Sequence, residues 1–194
     1  MTGELGYSLP PAIRRIAGAF RIVGWISFWI QAVLGVISSL VLLFSVATLS
    51  GRATQGETNP GTSAGLLFAV LGVLAVFAGA FWSFRYTRLS RKLRTSNPDL
   101  RPKPKDAIRA IQIGLMISLA GMLVTLLGAE AIVGSLLAKS LAQPQGSALF
   151  NPGNVTQFIQ PLDIFIVQAN THTLVAHFAA IASALWLYRS VNRQ

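Results

Sequence analysis

Four long apolar runs divide this chain, separated by short polar segments rich in turn-forming residues. A helix that crosses the hydrocarbon of a bilayer needs about 20 mostly apolar residues. The runs at approximately 22–44, 65–84, 108–130 and 166–187 meet that length. The pattern predicts an all-α fold: an integral membrane four-helix bundle, with 1–194 as a single transmembrane domain. Ahead of the first run, Ile13, Ile16, Ala17 and Phe20 recur at helical spacing, with Arg14 and Arg15 on the opposite side. That division reads as an N-terminal interfacial amphipathic helix leading into the span. Apolar character runs on to Leu49 and to Leu141, so the odd-numbered helices are expected to tilt or to project beyond the bilayer.

Between the second and third runs, Tyr86, Leu89 and Leu93 keep helical spacing, which extends the second helix to about Thr95. Asn97-Pro98 and the Pro102/Pro104 pair then turn the chain, and Asp106 suits the first turn of the third helix. The outer loops, 50–63 and 143–161, carry the Gly, Pro and Asn of turns. Inside the runs, small residues stand four apart at Gly35/Ser39, Ala75/Gly79, Gly114/Ser118, Gly121/Thr125 and Gly134/Ala138. Such spacing lets helix backbones approach closely where lipid offers no hydrophobic drive. It serves packing within one chain and self-association equally well. No internal repeat of the kind that marks many transporters stands out.

Charge adds an orientation. Of the 16 Lys and Arg residues, fourteen fall on one side of the four-run pattern, nine of them between Arg85 and Arg109. Short basic segments are retained on the cytoplasmic side. Both termini and the loop at 85–107 are therefore expected to be cytoplasmic, an N-in, C-in topology. Arg85, Arg88, Arg91, Lys92 and Arg94 are the candidate contacts for anionic lipid headgroups or for a partner. The net charge of +10 does not imply nucleic acid, because the positive groups are juxtamembrane and have no soluble recognition fold around them. Trp25, Trp29, Trp82, Tyr86, Trp186 and Tyr188 share a depth at which an aromatic belt is expected.

The chain has no cysteine, which excludes disulfides, iron–sulfur clusters, thiolate metal sites and cysteine catalysis. There is no phosphate-cradling Gly motif, no clustered carboxylates and no nucleophile elbow. No enzyme and no resident cofactor is expected. What chemistry remains lies within or beside the apolar runs. Helical rise places Glu130 near the outer boundary, Asp163 at the outer surface, His172 a turn inside it and His177 near mid-membrane. Gln31, Gln112 and Gln168 add amides, and Ser38, Ser39, Asn170, Thr171 and Thr173 add further polar groups.

His177, His172, Asp163, Glu130 and Gln168 are the candidates for a metal or substrate path. Imidazole with carboxylate suits divalent iron, zinc or manganese, and ionisable groups in spans often mark translocation routes. A blander reading stays open beside it. His172 and His177 are about 140° apart around a helix and share no face, and a neutral His bonded to a neighbouring helix needs no ligand. For Glu130, solvation or a pair with Lys139 competes with a site role.

Three stretches carry a family likeness: Phe81-Trp82-Ser83-Phe84-Arg85-Tyr86-Thr87-Arg88-Leu89-Ser90-Arg91-Lys92-Leu93, then Leu126-Leu127-Gly128 with Ala131, Val133 and Gly134, then Leu162 through Ala169, continuing over Thr173-Leu174 to His177-Phe178. In that order they resemble the family known both as Tic twenty-one and as "permease in chloroplasts", over nearly the whole chain from Ile13 to Val191. The resemblance implies a four-span protein of the plastid inner envelope in plants. Lacking a transit peptide, this chain reads as a cyanobacterial-type member of a plasma or thylakoid membrane. The family has been assigned both to iron uptake and to the protein-import translocon. Asp163, Gln168 and His177 fall on positions of the plant motif, whereas His172 stands where it has Asn and Glu130 where it has Gln. The expected function is a membrane transport component handling iron or another divalent metal. The alternative is a non-catalytic accessory subunit of a larger membrane assembly, such as a translocon or a photosynthetic complex, or a homo-oligomer.

Overall fold

A computed structural model describes residues 10–53, 60–95, 97, 101–142, 159 and 161–192. Within them the chain forms four helices: α1 Pro11–Ala53, α2 Pro60–Leu93, α3 Pro104–Ala142 and α4 Pro161–Asn192. There is no strand among the described residues. Of the predicted outer loop 50–63, residues 50–53 continue α1 and 60–63 open α2, and 54–59 lie outside the described residues, as do 143–158 of the second loop and Pro98 of the predicted turn.

Every helix opens on a proline, the residue whose missing N–H and fixed φ cost nothing at a first helical position. Two of these starts share the pattern Pro-x-Asp, which sets Asp106 and Asp163 in the positive first turns of α3 and α4. Asp106 accepts the Lys103 backbone N–H through Oδ2 at 3.2 Å, a cap on its own helix. All four helices are long and apolar enough to cross a membrane. With 43 residues, α1 is about 65 Å long, twice the roughly 30 Å of a hydrocarbon core. Its first turns are the amphipathic stretch, continuous with the span. Arg14 and Arg15 face outward, Ala17 and Phe20 are buried, and Ile13 and Ile16 pack against them.

The helices pack in a ring, each against its sequence neighbours and α1 against α4, with α2 and α4 also touching across the middle. Buried positions on α3 step by four and three: Ala107, Ile111, Gly114, Ser118, Gly121, Thr125, Gly128 and Ile132. This is the seven-residue repeat of a coiled-coil seam. The other helices keep the same repeat with polar residues on it. Gln31, Ser38 and Ser45 stand seven apart on α1, and Asp163, Asn170 and His177 stand seven apart on α4.

Large apolar side chains such as Leu40, Leu43, Phe81, Met116, Leu123 and Phe178 are mostly exposed. A water-soluble bundle would reverse this arrangement, and a bilayer accommodates it. Among the described residues, bulky apolar side chains inside the bundle gather into two clusters, with Val76 buried outside both. One cluster, at the end where most of the basic residues lie, contains Phe20, Tyr86, Leu93, Ile111 and Leu187. The other, toward the opposite end, contains Leu42, Ala69, Val73, Ile132 and Ile166.

Side-chain hydrogen bonds join every helix pair that packs. Ser27 pairs with Ser83 at 3.0 Å and Ser90 donates to the Ala17 carbonyl at 2.6 Å, tying α1 to α2. Trp82 donates to the Ala110 carbonyl at 2.7 Å between α2 and α3. Ser38 donates to the Ala169 carbonyl at 2.9 Å between α1 and α4, and Asn170 to the Thr125 carbonyl at 3.2 Å between α3 and α4. In a membrane each such bond is worth about 0.6 to 2 kcal/mol.

Candidate functional site

Between the two apolar clusters, the interior is built from Gly, hydroxyl, amide and imidazole groups. The sequence allows this because small residues fall on the buried seam. A Cβ on Gly121 would run into the His177 ring, and would sit 2.7 Å from the Ala75 Cβ. A Cβ on Gly72 would meet the Thr125 hydroxyl. Gly121 makes the room that the His177 imidazole fills, and Gly72 the room for Thr125. Most hydroxyls in this layer satisfy themselves along their own helix: Ser118 on the Gly114 carbonyl at 3.0 Å, Thr125 on Gly121 at 2.8 Å, Thr173 on Ala169 at 2.9 Å.

Three groups also reach a neighbouring helix. The Gln31 amide nitrogen donates to the Ser27 carbonyl at 3.1 Å and approaches the Ser27 and Ser83 hydroxyls, each at 2.9 Å. The Asn170 amide nitrogen donates to the Thr125 carbonyl. His177 Nε2 lies 3.3 Å from the Gly72 carbonyl. A backbone carbonyl only accepts, so it fixes which end of each group is the donor. Gln31 Oε1, Asn170 Oδ1 and, in the neutral ring, an unprotonated His177 Nδ1 are left as buried acceptors with no hydrogen-bond partner. All three residues are essentially shielded, at 0%, 3% and 0% exposure. An orphaned buried polar atom costs about 1–3 kcal/mol; His172 Nδ1, nearer the start of α4, is a fourth such atom.

The predicted site residues are not brought into one cluster. Among the described residues, no three His, Cys, Asp or Glu side chains gather closely enough to hold a metal ion. His177 is in the middle of the bundle. Asp163 is buried at the end opposite the basic one, where Lys139 holds it with Nζ at 3.1 and 3.2 Å from the two carboxylate oxygens. Lys139 thus pairs with Asp163, the residue that shares the buried stripe of α4 with Asn170 and His177. Glu130 is exposed on α3. His172 is half-buried and makes its contact within α4, to Gln168 at 2.9 Å, while Gln168 itself is exposed. Gln112 and Thr171 also face outward. Arg85, Arg88, Arg91, Lys92 and Arg94 are all exposed at the far end of α2.

Ser27, Ser83 and Gly72 belong to the polar interior but were not singled out by composition or by span depth. The signal that locates them is register. Ser83 and Ser90 stand seven apart on α2, as do Ser118 and Thr125 on α3, matching the polar heptads of α1 and α4. The small pairs divide by the same register: Gly35, Gly79, Gly114 and Gly121 are on the packed side, while a Cβ on Gly134 would meet open space.

Residues 10–192 match the family described as "Protein of unknown function (DUF3611)". The chain is 37% identical over 178 residues to "Protein TIC 21, chloroplastic" of Arabidopsis thaliana, an alignment covering 89% of this chain and 56% of that protein. The chain thus spans just over half the length of that relative. No solved structure matches. With a family model matched from end to end of the described region, this chain, whose four helices are long and apolar enough to cross a membrane, belongs to the DUF3611 family and is similar to chloroplast TIC 21.

Proposed function

We propose that this protein is a membrane transport component for a small cation, iron(II) or another divalent metal, moving along the interior of the bundle with the basic end toward the cytoplasm. The observation that carries this reading is the buried stripe of α4. It presents a carboxylate, an amide oxygen and an imidazole nitrogen at seven-residue intervals, about 10 Å apart. Asn170 Oδ1 and His177 Nδ1 on that stripe, with Gln31 Oε1 from α1, have lone pairs that no protein donor uses. Imidazole nitrogen and amide oxygen suit first-row divalent metals. Among the described residues the layer has no carboxylate, so a cation there would be held by neutral donors alone. At the outer end of the stripe Asp163 is already paired with Lys139, so a cation reaching that carboxylate has to displace the ammonium group.

Proteoliposome uptake of iron(II) tests the reading. Wild type should exceed empty liposomes. His177→Leu and Asn170→Leu should each abolish the excess, while His172→Ala, off the stripe, should keep it. Flux equal to empty liposomes in every sample would remove the proposal.

A second reading, an accessory subunit of a larger membrane assembly, is favoured by the two apolar clusters that close the interior at both ends. Purification in gentle detergent separates the two. A stable partner co-purifying with a flux-inactive protein supports the accessory role, and a lone monomer counts against it.

A further inference from the structure

At the basic end, a cleft of about 400 Å³ opens between α2 and the start of α3. Phe81, Phe84, Arg85, Arg88 and Lys92 of α2 line it, together with Asp106 of α3. We propose that this cleft is a binding site for one phospholipid with an anionic headgroup, its phosphate held by Arg85, Arg88 and Lys92 and an acyl chain lying over Phe81. The proposal does not depend on the transport reading, and no part of the polar interior enters it.

Geometry and charge argue for it together. The cleft lies where the apolar stretch of α2 gives way to charge, the depth of a lipid phosphate. Two of its cations are already positioned. The Arg85 guanidinium sits 4.7 Å over the Trp82 ring, and Trp82 is itself pinned to the α3 backbone by its bond to Ala110. The Arg88 guanidinium sits 5.1 Å over the Phe84 ring. Rings that hold a guanidinium plane leave its N–H edge free to fork onto phosphate oxygens. Arg85, Arg88 and Lys92 form no ion pair among the described residues. The one carboxylate lining the cleft, Asp106, instead caps α3 through the Lys103 N–H. Three cations against one acid leave a net positive cleft, complementary to a phosphodiester. Phe81 is 65% exposed beside it, an apolar surface for a chain that a free phosphate does not have.

The purified full chain, in detergent, is titrated with phosphatidylglycerol or phosphatidylcholine and the bound lipid counted by native mass spectrometry. Wild type is expected to hold one phosphatidylglycerol about tenfold more tightly than phosphatidylcholine. The Arg85→Gln/Arg88→Gln/Lys92→Gln variant should lose that preference. Arg91→Gln/Arg94→Gln/Lys105→Gln removes as much charge outside the cleft and should keep it. Should the first variant not fold, Arg88→Lys takes its place: it keeps the charge, removes the fork and is expected to weaken binding about threefold. Equal losses in both triple variants would mean diffuse charge attraction and overturn the site, as would equal retention of the two lipids. Displacement of the lipid by millimolar glycerol phosphate would identify a soluble phosphate as the ligand and would likewise overturn it.

Discussion

The middle of this bundle and its two ends are built on opposite principles. At the ends, Phe20, Ile111 and Leu187, or Leu42, Ile132 and Ile166, fill the space between helices with bulk. In the middle, Gly72 and Gly121 remove bulk, and Gln31, Asn170 and His177 reach across to neighbouring helices. In water the apolar ends would dominate stability. In lipid the chains outside are as apolar as leucine, so burying Phe20 gains little and close backbone approach with hydrogen bonds gains more. The middle should therefore be the part that is sensitive to a change in side-chain size, and the ends the more tolerant part.

Gly121→Val is the strongest way to break that contrast. Its added carbons collide with the His177 ring and Ala75, at a cost of about 3 kcal/mol. The expected outcome is loss of the monodisperse peak on heating in detergent well below the wild-type temperature. Ile132→Val, at an end, should shift it far less. Next is Lys139→Met, which leaves Asp163 buried without its cation; about 2 kcal/mol should be lost and largely recovered in Lys139→Met/Asp163→Met. Gln31→Leu removes the α1–α2 amide bond and an orphaned acceptor together, so chemical denaturation should register only about 1 kcal/mol. Smallest is Gly134→Ala, which faces open space inside α3 and should stabilise by about 0.5–1 kcal/mol through helix propensity alone; a destabilising thermal shift would reveal a packing partner outside the chain.

The fold was legible because long apolar runs and prolines are strong local signals, and they mark all four helices. The ends were less so. The apolar side of the first turns of α1 looked interfacial, because a sequence cannot show that α2, α3 and α4 supply residues for Ile13 and Ile16 to pack on. Within the site, His177 was legible from composition and depth. The partition of polar groups into inward and outward was not, because depth ranks residues along a helix and leaves their rotation open. Glu130 and Gln168 lie at suitable depths and point out, while Asn170 and Gln31 point in. Rotation was encoded in the seven-residue spacing of Asp163, Asn170 and His177, which is visible only once several helices are compared.

His177 keeps a free acceptor at Nδ1 inside the bundle, and the imidazole ¹⁵N NMR spectrum reads that atom without an intermediary. The chain has 2 histidines, so His172→Asn leaves His177 alone. The expected spectrum is that of a neutral ring protonated at Nε2, with the Nδ1 resonance moving first when zinc(II) is added as a diamagnetic divalent ion. A ring protonated at Nδ1, or an Nδ1 resonance unmoved by the metal, would contradict it.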